Sequence, residues 1–154
     1  HKLNNTYKAI IAVFVLSSFA FYWAARYAAP QDGRPSLQAP DTSTLTENVP
    51  MVDVAVPPEL SADALMGQRG FEAKCASCHG TNAAGQNGVA PPLVHKTYEP
   101  NHHSDMAFVL AAKNGVRSHH WRFGDMPPID GVTNADVLMI ARYIRELQKE
   151  NGIF

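Results

Sequence analysis

The sequence predicts an all-α fold in which a small helical head follows a single transmembrane helix and a proline-rich linker. Three observations predict it. Every residue between Lys8 and Arg26 is uncharged, and positions 9–25 are dominated by Ile, Val, Phe, Leu and Ala. Pro30, Pro35, Pro40, Pro50, Pro57 and Pro58 then fall among Ser, Thr, Asp and Gln with no sustained apolar period. Three later stretches join helix caps to apolar residues at helical spacing, and no alternating strand pattern of comparable strength occurs. The expected organisation is an anchor over 1–29, a linker over 30–58 and a head over 59–154. A chain of 154 residues has room for one ordinary core, of roughly 100 to 150 residues, plus such appendages.

A helix over residues 7–29 would reach about 34 Å, enough to cross a hydrocarbon core of about 30 Å. Tyr7 at one end and Tyr22, Trp23 and Tyr27 at the other sit where aromatic rings prefer the lipid–water boundary. Lys2 and Lys8 favour a cytoplasmic amino terminus. A cleaved secretory signal needs small residues one and three positions before the cut. Cuts after Ala25, Ala28 and Ala29 instead put Trp23, Arg26 and Tyr27 at the outer of those positions. The segment therefore reads as a retained anchor in contact with membrane lipid. The linker, if flexible, would span about 30 Å, further when stiffened by proline; the alternative is that it lies pinned on a partner.

In the head, Ser61 is the expected N-cap of a helix over 62–74, with Leu65, Met66 and Phe71 as its apolar face. A second helix is expected from about Ser104 to Lys113, ended by Asn114 and Gly115. The third has Thr133 and Asp136 at capping-box spacing, an apolar stripe of Val137, Ile140, Ala141, Ile144 and Leu147, and Gly152 beyond its end.

Charge excludes one class of function. With 13 Lys and Arg against 14 Asp and Glu, the net charge of −1 gives no broad basic field to hold nucleic acid.

The two cysteines carry the chemistry. Cys75-Ala76-Ser77-Cys78-His79 matches the haem attachment pattern, in which thiols two residues apart reach the two vinyl groups and the adjacent imidazole binds iron. Attachment is completed outside the cytoplasm, in agreement with the orientation read from Lys2 and Lys8. The competing readings are a redox dithiol or disulfide, which lacks a thioredoxin-like strand–helix context, and a zinc site recruiting His102, His103, His119 or His120. Zinc would leave His79 and the methionine loop unexplained.

A six-coordinate carrier needs a second axial ligand. Met126, in Gly124-Asp125-Met126-Pro127-Pro128, is the leading candidate, because the prolines restrict the loop before sulfur is held on iron. Met106 and Met139 read as helix core, and Met51 and Met66 precede the motif. A histidine ligand or an open distal site are the alternatives.

On these residues the stretch from about Ser61 to Phe154 resembles class I cytochromes c. Gly67 and Phe71, before Cys75, match the family's small and aromatic residues where the first helix crosses the last, and Ile140 and Tyr143 match the partner positions. Ala90-Pro91-Pro92-Leu93 is similar to the family's Gly-Pro-x-Leu segment, with alanine in place of glycine. The resemblance implies that the Pro91 carbonyl accepts a hydrogen bond from the free ring nitrogen of His79. It also implies a small all-α domain around one covalently bound haem c, exposed at one edge near the thioethers.

Trp121 and Arg122 lie where an indole or guanidinium could bond a haem propionate. The pairs His102-His103 and His119-His120 read as solvent-facing or propionate-bonded residues rather than a metal or proton-relay site. Lys74, Lys96, Lys113 and Arg117 read as solvated surface unless they ring the exposed edge.

The expected function is electron transfer at the periplasmic face of a bacterial inner membrane. Redox protein partners are expected, and no small organic substrate. The resemblance implies electrons received from a quinol-oxidising complex and passed to a terminal oxidase, a photosynthetic reaction centre or another reductase. The alternatives are a haem enzyme reducing peroxide or a nitrogen oxide, and a mainly structural subunit of a respiratory or photosynthetic complex.

Overall fold

The computed structural model describes Asn4, Tyr7 and residues 15–19, 21–22 and 41–154. The chain divides into two compact units, His1–Arg34 and Pro35–Phe154. In the first, Tyr7 and residues 15–19 and 21–22 are helical and exposed, and the Tyr7 amide donates to Asn4 Oδ1 at 3.0 Å. The rest of the expected 7–29 span lies outside the described residues, as do linker residues 30–40. Among the described residues no helix is long and apolar enough to cross a membrane.

Among the described residues the second unit is built on four helices: α1 Ala62–Lys74, α2 Ala76–His79, α3 Asp105–Asn114 and α4 Asn134–Glu150. Two 3-10 turns, Thr81–Ala83 and Lys96–Tyr98, lie between α2 and α3. Each long helix starts where its sequence predicts. The Ser61 hydroxyl accepts from the Ala64 amide at 3.2 Å. At α4 the box is complete: Thr133 Oγ1 accepts from the Asp136 amide at 3.2 Å, and Asp136 Oδ2 accepts from the Thr133 amide at 2.8 Å.

The core lies where α1 crosses α4. Gly67 lets the backbones meet, since a Cβ there would stand 1.9 Å from the Met139 carbonyl oxygen. Phe71 and Tyr143 pack beside it with ring centroids 5.8 Å apart, joined by Ala64, Ile140, Ile144 and Leu147. The apolar face expected on α1 is corrected: Ala64, Gly67 and Phe71 are buried, whereas Leu65 and Met66 are 44% and 54% exposed. So tight a crossing admits small residues at its centre and turns the larger ones outward. Met106, expected as core, is likewise 51% exposed, and Val109 and Ala112 form the buried face of α3.

Residues 45–58 have no helix or strand, yet they are fastened to the head. The Asn48 amide donates to the Asn87 carbonyl, the Asn87 amide to the Val49 carbonyl and the Met51 amide to the Ala84 carbonyl, at 2.9 to 3.1 Å. The Asn87 side chain donates to the Leu45 and Thr46 carbonyls at 3.0 and 3.3 Å. Asn151 grips Ala55 through both amide atoms, accepting at 3.0 Å and donating at 2.8 Å. Val54 and Leu60 add apolar contact with the core. This part of the expected linker is a strap bonded across the helical head.

Candidate functional site

α1 delivers the cysteines. Its last turn passes directly into α2, where the Cys75 amide donates to the Phe71 carbonyl at 2.8 Å and the His79 amide to the Cys75 carbonyl at 2.9 Å. This turn brings Cys75, Cys78 and His79 to the wall of one cavity of about 480 Å³. The cysteines are not joined as a disulfide. Burial, and then the neighbouring Cys78, pushes the Cys75 thiol up to about 11.

His79 is buried, and its ring is fixed. Nδ1 lies 2.9 Å from the Pro91 carbonyl oxygen, to which it donates, so Nε2 is the nitrogen left with a lone pair. Burial lowers the His79 pKa, and the Pro91 bond partly opposes this. Pro91 is in turn held beside a closed loop in which the amides of Gln86 and Ala90 each donate to the other's carbonyl, at 2.9 and 3.0 Å.

Met126 lines the same cavity. The amides and carbonyls of Val116 and Met126 exchange two hydrogen bonds of 2.9 Å, closing residues 117–125 into a loop. Gly115, at φ +75°, is needed at that closure: a Cβ would stand 2.6 Å from the Met126 carbonyl oxygen. Within the loop the Ser118 amide donates to Asp125 Oδ1 at 2.8 Å, and the Ser118 hydroxyl donates to the Trp121 carbonyl. The methionine backbone is thus set by the protein before any ligand bond is made.

Trp121 is buried, edge-on to His95 at 5.3 Å and stacked with Phe123 at 5.9 Å. Among the described residues its Nε1–H is an orphaned buried donor. It lies near enough to the Tyr98 hydroxyl to draw that pKa down a little, against burial that pushes it up to about 12, but the pair does not meet hydrogen-bond geometry. Arg122, weighed with it, is exposed.

These features fit a haem. The cavity walls are largely apolar, with Leu93, Phe108, Ile140 and Ile144 among them. Two thiols, the His79 imidazole with Nε2 available and one thioether line it, with His103, His119 and His120 also on its wall, and an orphaned N–H suits an anionic oxygen.

The sequence reading missed one grouping. His102, His103 and His120 each bring a ring nitrogen within 4.8 Å of the others, and neither cysteine belongs to that group. The two histidine pairs, expected as solvent-facing or propionate-bonded residues, form one cluster, which His119 joins with its ring 4.2 Å from that of His120. Lys74, Lys96, Lys113 and Arg117 are exposed, and Lys74 Nζ donates to the Asp130 carbonyl at 3.2 Å.

A search of curated proteins finds no match, and a search of solved structures finds none. The family model described as Cytochrome c matches residues 64–148, more than half of the chain, and takes in the cysteines, His79, the Pro91 turn, Met126 and most of α4. Family match and cavity lining agree, and the chain belongs to the cytochrome c family, with haem c and its iron bound covalently.

Proposed function

We propose that the protein is a monohaem electron carrier, tethered to the bacterial inner membrane by residues 7–29, with its head in the periplasm. The observation that carries the electron-transfer reading is the set of donors around one cavity: Cys75, Cys78, His79 with its tautomer fixed by Pro91, and Met126 held on a closed loop. The bound haem supplies iron that alternates between ferric and ferrous states.

The chain's residues supply the rest. Cys75 and Cys78 hold the macrocycle by thioether bonds. His79 would hold the haem iron through Nε2, and its Nδ1 bond to Pro91 prevents ring rotation. Met126 would offer its sulfur to the same iron, a pairing that favours a high potential. Trp121 would donate its N–H to a haem propionate. The apolar walls exclude water and limit the rearrangement that accompanies a change of charge. The tether rests on the uncharged run and its aromatic flanks, and the partners proposed are a quinol-oxidising complex as donor and a terminal oxidase, reaction centre or other reductase as acceptor.

Spectroscopy with potentiometry on the purified holoprotein tests this reading. A ferric band at the red end of the visible spectrum, reporting sulfur on iron, is expected at neutral pH. Met126→Ala should abolish it and lower the potential by more than about 100 mV, within the roughly 0.8 V that axial ligands span. A wild-type protein without that band, binding peroxide or nitrite at an open iron, would overturn the carrier reading. Extraction from membranes by detergent but not by salt, lost on deletion of residues 7–29, tests the tether. Proteins that co-purify in mild detergent identify donor and acceptor.

A further inference from the structure

We infer that His102, His103 and His120 form a second metal site, separate from the haem ligands, for a divalent cation of the copper–zinc class. The three side chains come from two loops, and one nitrogen of each lies within 4.8 Å of the others. Their ring centroids are 4.6, 5.2 and 5.3 Å apart. Tetrahedral coordination with bonds of about 2.0 to 2.1 Å separates ligand nitrogens by about 3.4 Å, so side-chain rotations of about 1 Å close the site. Imidazole is a ligand that both copper and zinc accept.

The surroundings are those of a built site. His103 donates Nδ1–H to the Thr97 carbonyl at 2.7 Å, which fixes its tautomer and leaves Nε2 as the donor atom. His119 is oriented likewise, by a 2.8 Å contact of Nδ1 with the Arg117 carbonyl, and its ring packs 4.2 Å from that of His120. Arg145 donates to the carbonyls of His103 and, at 2.6 Å, of Tyr98, tying the first loop to α4. The second loop is closed by the Val116–Met126 pair.

The Arg145 guanidinium is answered by Asp105, 2.8 Å from its Nε. His103, His119 and His120 line the haem cavity while His102 is exposed, so a cation can reach the cluster from solvent.

Calorimetric titration of the full-length ferric holoprotein, stripped with chelator, tests the inference with Zn²⁺ alone as the probe. One zinc per chain is expected, with a dissociation constant on the order of 1 µM. His102→Gln and His120→Gln should each weaken it at least about tenfold, and His95→Gln should not. In parallel, the electron paramagnetic resonance signal of added Cu²⁺ should show splittings from several imidazole nitrogens, lost in the His102→Gln, His120→Gln double variant. The Soret band reports that each variant is folded; should His120→Gln lose it, exposed His102→Gln carries the test. No zinc uptake, as expected if the histidines bond only propionates, or uptake unchanged in His102→Gln, overturns the site.

Discussion

Gly67 of α1 lies against the Met139 carbonyl of α4, where an added Cβ would stand 1.9 Å from the oxygen. The neighbour is helix backbone, so only separation of the two helices relieves the overlap. Gly67→Ala is expected to destabilise the head by about 3 kcal/mol or more, because the Phe71–Tyr143 contact opens with it. Guanidinium unfolding of the holoprotein measures this; a loss below about 1 kcal/mol would show that the helices tolerate a wider crossing.

Gln148 is fully buried in α4, and its side chain is satisfied from three sides. Nε2 donates to the Leu93 and Tyr98 carbonyls at 2.8 and 3.0 Å, and Oε1 accepts from Arg145 at 2.6 Å. Gln148→Leu keeps the volume but strands the Leu93 carbonyl, at an expected cost of about 1 to 3 kcal/mol. The adjacent exposed Lys149→Leu should stay within about 0.5 kcal/mol. Equal unfolding midpoints for the two variants would reject the assignment.

Asn151 holds Ala55 by two hydrogen bonds, of 3.0 and 2.8 Å. Asn151→Ala should release this end of the strap with a modest global cost of about 1 kcal/mol. Hydrogen exchange followed by mass spectrometry locates the effect: the segment around Ala55 should exchange about tenfold faster while α1 keeps its protection.

His95 supplies a pH-sensitive contact. Its Nδ1 accepts from the Thr97 amide at 3.2 Å and lies 3.0 Å from Thr97 Oγ1, capping the 3-10 turn Lys96–Tyr98. Burial lowers its pKa from 6.5. The unfolded chain therefore takes up the proton first, and stability is complete above about 6.5 and declines as pH falls below it. Replacing the imidazole acceptor by an amide oxygen in His95→Asn should flatten this part of the decline between about pH 7 and 5, as read by unfolding midpoints. Identical slopes in both proteins would assign the acid sensitivity elsewhere.

The helices of the head were legible because their signals are local. Ser61, Thr133 and Asp136 cap the turns they begin, and Val137, Ile140, Ile144 and Leu147 fall on one face of α4. The Cys75–His79 motif and the Met126 loop were legible as chemistry, and the cavity gathers both. Leu65 and Met66 were misjudged because their apolar character carries no record of how closely Gly67 draws α4 inward. The histidine cluster was hidden for a different reason. Its members lie on two loops whose approach depends on Arg145 and the Val116–Met126 pair, and neither bond leaves a periodic mark. The strap reads as linker because backbone groups and the amides of Asn87 and Asn151 make its bonds, which hydropathy does not register.

A ribbon stitched down at Asn48, Met51 and Ala55 moves as one with the helices it crosses. Prolines 50, 57 and 58, counted from sequence as spacer, instead stiffen a belt that travels with the haem crevice. Lengthening the chain between Leu45 and Ala55 would therefore slacken the belt itself.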